Sequence, residues 1–232
     1  MTDQPVPTTA AGEAATARGE QTRQLILETA MRLFRERGYA RTTMRAIAQE
    51  AGVAVGNAYY YFGSKERLIQ EFYARTQREH QAAARPVLDR ESDFAARLAG
   101  VLHTAIDVLT PSHEFAASFF KVAAEPSSPL SPFSPESAGP RQASIDLFAE
   151  VLAGSTVKVD PELRPQLPEL LWLAYMGTVL YWVYDRSPGQ TRTRMLIDGA
   201  VPLIDRLVTL SRLRVLRPVT RQIIDLVRTL RH

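Results

Sequence analysis

The feature that most restricts how this chain can fold is an unbroken uncharged run of fifteen residues, Leu170 to Tyr184 (LLWLAYMGTVLYWVY). A helix of that composition is apolar on every side and needs protein around it. A bilayer-spanning helix takes about 20 apolar residues, so the run predicts a helix buried in a helical domain or at an interface. The rest of the chain agrees. Apolar residues recur at three- and four-residue spacing over about 22–37, 44–51, 55–62, 64 to just before Pro86, 92–109, 112–124, 141–153, 169–185, 190–211 and 219–230. No segment sustains two-residue alternation, no Asn-Gly hairpin signal occurs and no internal repeat is found, so the expected fold class is all-α. The interruption is 126–140, with five prolines among serines, read as a solvated insertion or else a lid.

Composition narrows the chemistry. There is no cysteine, which removes disulfides, thiol nucleophiles and thiolate metal sites. The four histidines (His80, His103, His113, His232) are scattered, and neither a metal site nor a cofactor is expected. Residues 1–19 are low in complexity, lack the apolar stretch of a signal peptide, and are expected to be a disordered tail on a cytoplasmic protein. Charge is unevenly spread. Residues 18–75 hold ten basic against six acidic groups, 76–205 eleven against sixteen, and 206–232 seven against one. Basic ends flanking an acidic middle suit a polyanionic partner, with a solvated surface as the plain alternative.

Two short helices joined by Gly52-Val53-Ala54 have the proportions of a helix-turn-helix. The second helix of such a unit enters the major groove and reads bases from its first residues. Here these are Val55, Gly56 and Asn57, with Tyr60 and Tyr61 on the same side. Asparagine can read adenine through two hydrogen bonds, Val or Tyr can press on a thymine methyl, and glycine admits close backbone approach. Three consecutive tyrosines spread over about 300° of a helix, so at least one must face outward.

The segment 22–73 (TRQLILETAMRLFRERGYARTTMRAIAQEAGVAVGNAYYYFGSKERLIQEFY) resembles the DNA-binding domain of TetR-type transcriptional regulators. The resemblance rests on Gly38-Tyr39 after the first helix, Thr42-Thr43 opening the second, and the Tyr-Tyr-x-Phe-x-x-Lys pattern that ends at Lys65. It implies that Thr43 caps the second helix and bonds a phosphate, that Arg45 points at a base or the backbone, and that Gly56 and Asn57 meet the major groove. Tyr59, Tyr60 and Tyr61 would divide between DNA and core, Phe62 would be core, and Lys65 would meet a phosphate. Ala54 stands where relatives often place a capping Ser or Thr, and Tyr61 where His is common.

The organisation so implied is a tail (1–19), a helix-turn-helix DNA-binding domain (20–75) and a helical ligand-binding and dimerisation domain (76–232). Dimer contacts are expected from the two penultimate helices, through Gly177, Tyr181, Tyr184, Leu196, Ala200, Leu203 and Leu207, with a kink at Pro202. Phe115, Phe119, Phe120, Trp172, Tyr175 and Met176 are numerous enough to line an apolar pocket, with His103 facing inward, although for any single one a core role is the plainer reading. The basic, amphipathic 219–230 reads as a docked extra helix. The expected protein is a non-enzymatic homodimeric repressor on double-stranded, palindromic operator DNA, released by a small hydrophobic or aromatic effector and with no membrane partner. A DNA-binding regulator or architectural protein without ligand control is the first alternative. An α-helical enzyme or carrier is the second, and it lacks a Glu-x-x-His pair, nucleophile elbow or phosphate loop.

Overall fold

Several helix starts in this chain are set by polar caps that meet otherwise unpaired backbone amides. The computed structural model describes residues 10–213 together with Gln222, Asp225 and Thr229. In it Thr43 accepts from the Ala46 amide at 3.1 Å, and Asp93 from the Ala96 amide at 2.8 Å. The described helices are α1 (Ala10–Arg37), α2 (Met44–Glu50), α3 (Val55–Phe62), α4 (Lys65–Arg90), α5 (Phe94–Leu109), α6 (His113–Ala123), α7 (Ala138–Ala153), α8 (Leu167–Tyr184) and α9 (Thr191–Leu210). Among the described residues all regular structure is helical, as the spacing predicts. The chain divides after Phe72 into two units.

The first unit packs Ile26, Leu27, Ala30, Leu33 and Phe34 of α1 with Ile47 and Ala48 of α2 and Ala58 and Phe62 of α3, then Leu68 and Ile69 of α4. Gly52 turns the chain between α2 and α3 at φ +66°, a conformation costly for any residue with a Cβ. The expected start of α1 at Thr22 is displaced. The helix runs from Ala10, and the Thr22 hydroxyl bonds back to the Arg18 carbonyl at 2.9 Å from inside it. Residues 10–19 are therefore not the tail expected of them: alanine-rich low complexity favours helix. Residues 1–9 and the helix expected over 219–230 lie outside the described residues, the three isolated positions apart.

The second unit holds its core between the buried faces of α5, α7, α8 and α9, with Ala84 and Leu88 of α4 against them. α4 does not stop before Pro86. Proline removes one amide donor, but Ala82 and Pro86 lie on the exposed side while Ala84 and Leu88 are buried, so packing carries the helix to Arg90. α9 likewise runs through Pro202 as one helix.

Arg97, in the first turn of α5, is only 4% exposed and donates to four carbonyls. Two close α4 (Leu88 at 2.5 Å and Glu91 at 2.7 Å) and two close α7 (Glu150 at 2.7 Å and Val151 at 2.9 Å). Gly154 caps α7 directly beneath the guanidinium, and a Cβ there would stand 2.2 Å from Nη2.

The proline-rich stretch is an ordered structure built on a three-residue Pro-x-Ser repeat. Pro126-Ser127-Ser128, Pro129-Leu130-Ser131, Pro132-Phe133-Ser134 and Pro135-Glu136-Ser137 form four consecutive turns. Each serine amide bonds the carbonyl three residues earlier, at 3.0, 3.1, 3.0 and 3.2 Å. Proline fits the second position of such a turn and serine the first. Leu130 is buried and its carbonyl accepts from the Tyr73 hydroxyl at 3.0 Å, while Arg141 donates to the carbonyls of Pro132 and Ser134.

Two predictions follow from this packing. Gly154→Ala leaves an ordinary backbone (φ −84°) unstrained, so its effect reports displacement of Arg97. A loss of about 1–3 kcal/mol is expected by chemical denaturation; an unchanged midpoint would mean that the guanidinium yields without cost. His80 is buried with Nε2 2.9 Å from the Val101 carbonyl, and burial pulls its pKa below the ordinary value. The unfolded chain then binds a proton that the folded chain refuses, so stability falls as pH drops from about 6.5 toward the lowered folded pKa. His80→Leu should flatten that acid slope, read as melting temperature against pH.

Candidate nucleic-acid interface

The outward face of α3 is defined by what its inward face gives up. Ala58 and Phe62, four residues apart, are buried and hold the helix in the first unit. That register leaves Val55, Gly56, Asn57, Tyr59 and Tyr60 exposed, Tyr59 at 51% and Tyr60 at 83%. Tyr61 is half-buried, its ring edge-on to Tyr60 at 5.2 Å. So the tyrosine run splits as helix geometry demands. A Cβ on Gly56 would meet open space, so no internal packing calls for glycine there. Ala54 precedes α3 with no side-chain cap bond, leaving the first amides of that helix without the usual hydroxyl.

Thr43 caps α2 and stays exposed, and Arg45 is exposed on the same helix with no hydrogen bond or ion pair among the described residues. Lys65 is placed differently from a plain surface lysine. Its Nζ donates to the Tyr39 carbonyl at 3.0 Å and lies 4.4 Å from the centre of the Tyr39 ring, while the Tyr39 hydroxyl donates to Glu66 Oε1 at 2.8 Å. Burial opposes the Glu66 charge, but hydrogen bonds from Ser64, its own amide and Tyr39, with Lys65 beside it, hold its carboxyl below the usual range. Lys65 thus ties the loop after α1 to the start of α4 and keeps two donors in hand.

Much of the basic charge counted in this unit is spent internally. Arg23 bonds Glu71 at 2.5 Å and covers the Phe62 ring, and Arg32 and Arg37 both pair with Glu50, at 2.9 and 3.5 Å. Those pairs hold the Glu50 carboxyl below its ordinary pKa, Arg32 foremost.

In the second unit the expected pocket residues do not all converge. Phe115 and Phe119 stack on each other at 5.0 Å within α6, and Phe120 meets Tyr184 edge-on at 5.8 Å. Trp172 and Tyr175 are buried in α8, and Met176 packs partly buried beside the core. His103 is elsewhere: its Nε2 lies 2.8 Å from Asp198 Oδ1, an exposed pair joining α5 to α9. Most of the expected dimer residues are exposed. Tyr181 and Tyr184 of α8 and Leu196, Leu203 and Leu207 of α9 are exposed, with Leu180 and Met195 beside them. Gly177 is exposed and Ala200 half-buried, and both line a cleft of about 180 Å³ with Leu98, Leu102, Tyr175 and Leu196.

Sequence reasoning missed a buried polar group in this unit. Gln77 Nε2, His80 Nδ1 and Ser144 Oγ are enclosed with no hydrogen-bond partner among the described residues. The signal was present, since Gln77 and His80 continue the inward stripe of α4 between Tyr73 and Ala84.

Known proteins agree with this arrangement. Residues 26–72 match the family described as "Bacterial regulatory proteins, tetR family". Residues 97–230, more than half of the chain, match "Tetracyclin repressor-like, C-terminal domain". Among characterised relatives, the HTH-type transcriptional repressor KstR2 of Mycobacterium tuberculosis is 32% identical over 103 residues, 44% of this chain and 49% of that protein. The HTH-type transcriptional regulator TtgR of Pseudomonas putida is 41% identical over 66 residues, 28% of this chain and 31% of its own. The chain thus spans about half the length, or less, of these relatives. Among solved structures, FadR of Bacillus halodurans, a fatty acid degradation regulator, superposes with a TM-score of 0.60 at 18% identity, covering 77% of this chain and 96% of its own. Thermus thermophilus FadR, a TetR-family repressor solved with lauroyl-CoA, gives 0.57 at 21% identity, covering 82% and 95%. These likenesses concern the fold. By sequence over both units and by fold, this chain belongs to the TetR family of bacterial regulatory proteins.

Proposed function

We propose that this chain is a homodimeric transcriptional repressor that binds a palindromic operator and is released by a small apolar or aromatic effector. The observation that carries the reading is the exposed start of α3, where Val55, Gly56, Asn57 and Tyr60 face outward while Ala58 and Phe62 anchor the helix. Asn57 would pair with an adenine edge, Val55 and Tyr60 would meet thymine methyls or the backbone, and Gly56 would let the helix approach. Thr43 and Arg45 would contact phosphate and neighbouring bases, with Tyr59, Tyr61 and the spare donors of Lys65 at the rim. Backbone contacts of this kind position the reader, and base contacts give it sequence preference.

The apolar face of α8 and α9 supports pairing with a second copy, since monomers seldom leave so many neighbouring leucines exposed. A two-fold dimer reads half-sites about 34–36 Å apart or a multiple of that. Effector control is supported by family membership and by the Thermus thermophilus relative solved with lauroyl-CoA. Linkage then requires effector and operator to weaken each other equally, typically by about 1–3 kcal/mol. Among the described residues no helix is long and apolar enough to cross a membrane; a repressor acting on bacterial DNA would work in the cytoplasm.

The test is titration of the full chain against the intergenic DNA beside its own gene at several salt concentrations. Arg45→Ala and Tyr60→Ala should each weaken the specific complex about tenfold or more, and Asn57→Ala should cost about 1–3 kcal/mol of discrimination at one base pair. Melting temperatures should not change, because these side chains are exposed. Binding that collapses with salt and ignores all three substitutions would reject the reader assignment. Leu203→Glu combined with Leu207→Glu should give monomers in sedimentation and lose cooperative operator binding. A dimer that persists would move the interface elsewhere.

A further inference from the structure

The buried polar group of the second unit points to a ligand chemistry. On α4, Tyr73, Gln77 and His80 follow one another at helical spacing on one face. On α7, Ser144 follows Ala143, whose carbonyl accepts from Gln81 Nε2 at 3.2 Å, and it lies one turn before Phe148. The Phe148 ring stands 5.8 Å from that of Tyr175 on α8, and Tyr175 in turn 6.1 Å from His80. Gln77, His80, Ser144 and Tyr175 therefore border one seam between α4, α7 and α8. Its far end is closed by the Pro-x-Ser strap, through Tyr73 on the Leu130 carbonyl and Phe133 edge-on to Trp172 at 5.3 Å.

Three polar atoms in that seam have no partner among the described residues, although a buried unpaired group is costly. Their chemistry is complementary. The Gln77 amide offers a donor. His80 donates from Nε2 to the Val101 carbonyl, which leaves Nδ1 as an acceptor. The Ser144 hydroxyl can do either. None of the three carries a charge, so none offers a counterion to an anionic ligand. Aromatic rings of Trp172, Tyr175 and Phe148 supply the apolar walls.

We infer that this seam, bordered by Gln77, His80 and Ser144, receives an uncharged effector with an apolar or aromatic body and one group that both donates and accepts a hydrogen bond, such as a hydroxyl. The inference deepens the effector-controlled reading given above and rests on it. It sets this chain apart in chemistry from a regulator of acyl-CoA, whose ligand carries several phosphate charges.

The experiment uses the full chain and a matched series with one ring system: 2-naphthol, naphthalene and 2-naphthoate, together with lauroyl-CoA. Binding is followed by calorimetry and by fluorescence of Trp172 and Trp182, the two tryptophans of the chain. The expected result is saturable binding of one 2-naphthol per chain, at least about tenfold tighter than the other three. Gln77→Leu and Ser144→Ala should each weaken 2-naphthol about tenfold while leaving naphthalene unchanged. Neither should lower the melting temperature, because each removes an unpaired polar atom.

Equal binding of 2-naphthol and naphthalene, indifference to both substitutions, or no binding of 2-naphthol overturns the inference. So does a marked fall in melting temperature, which would mean that these atoms serve the fold, for instance through an internal water. Operator binding with and without each compound separates the two readings. If 2-naphthol binds through Gln77 and Ser144 but leaves the operator complex intact, the site stands and effector control by it fails. If lauroyl-CoA or 2-naphthoate releases the operator equally from wild type and Gln77→Leu, effector control stands and the site fails.

Discussion

The second unit depends on one buried cation that has no carboxylate partner among the described residues. Arg97 sits in the first turn of α5 and closes the carboxyl ends of α4 and α7 at once. A helix end carries roughly half a negative charge in its unpaired carbonyls, so two such ends together balance about one guanidinium. This arrangement answers two needs. The carbonyls that helices leave unsatisfied are paired away from water, and the arginine is buried without an ion pair's demand for a second charged group. Burial still lowers the Arg97 pKa, as loss of hydration must. Gly154 follows from the same contact, because the guanidinium occupies the space a side chain would need.

The same economy governs the first unit. Its arginines and Lys65 are divided between holding the unit together and facing outward. Arg23, Arg32, Arg37 and Lys65 have partners within the unit, whereas the Arg45 side chain has none among the described residues and the start of α3 is exposed. A count of basic residues therefore overstates the charge that can meet a polyanion. What distinguishes the outward face is its register: once Ala58 and Phe62 are committed to the core, the exposure of Asn57 and Tyr60 follows from a period of 3.6 residues.

The second unit contrasts exposed apolar side chains with enclosed polar ones. Leucines and tyrosines of α8 and α9 are exposed, whereas polar atoms of Gln77, His80 and Ser144 are enclosed with no partner among the described residues. The strap that meets Tyr73 and Trp172 is made from a three-residue repeat. Its turns stay in place because Leu130 is buried and Arg141 holds two of its carbonyls, and the only regular structure among them is a single 3-10 turn at Pro135–Ser137.

The sequence by itself determined whatever depends on neighbours along the chain. The all-helical class, the cap at Thr43, the turn at Gly52 and the outward tyrosines all follow from local spacing and backbone preference, which act over a few residues. Where local signals misled, a longer-range contact had outweighed them. Pro86 does not end α4 because Ala84 and Leu88 are buried against the core on either side of it. Thr22 does not begin α1 because the alanine-rich stretch before it is itself helical. Tertiary structure alone decided the roles of Arg97, His103 and Lys65. Each has a long or two-ended polar side chain whose partner lies on another element: the ends of α4 and α7, Asp198 and the Tyr39 carbonyl. A period along a helix tells which side a residue faces, but only the packing of one helix against another tells what it meets there.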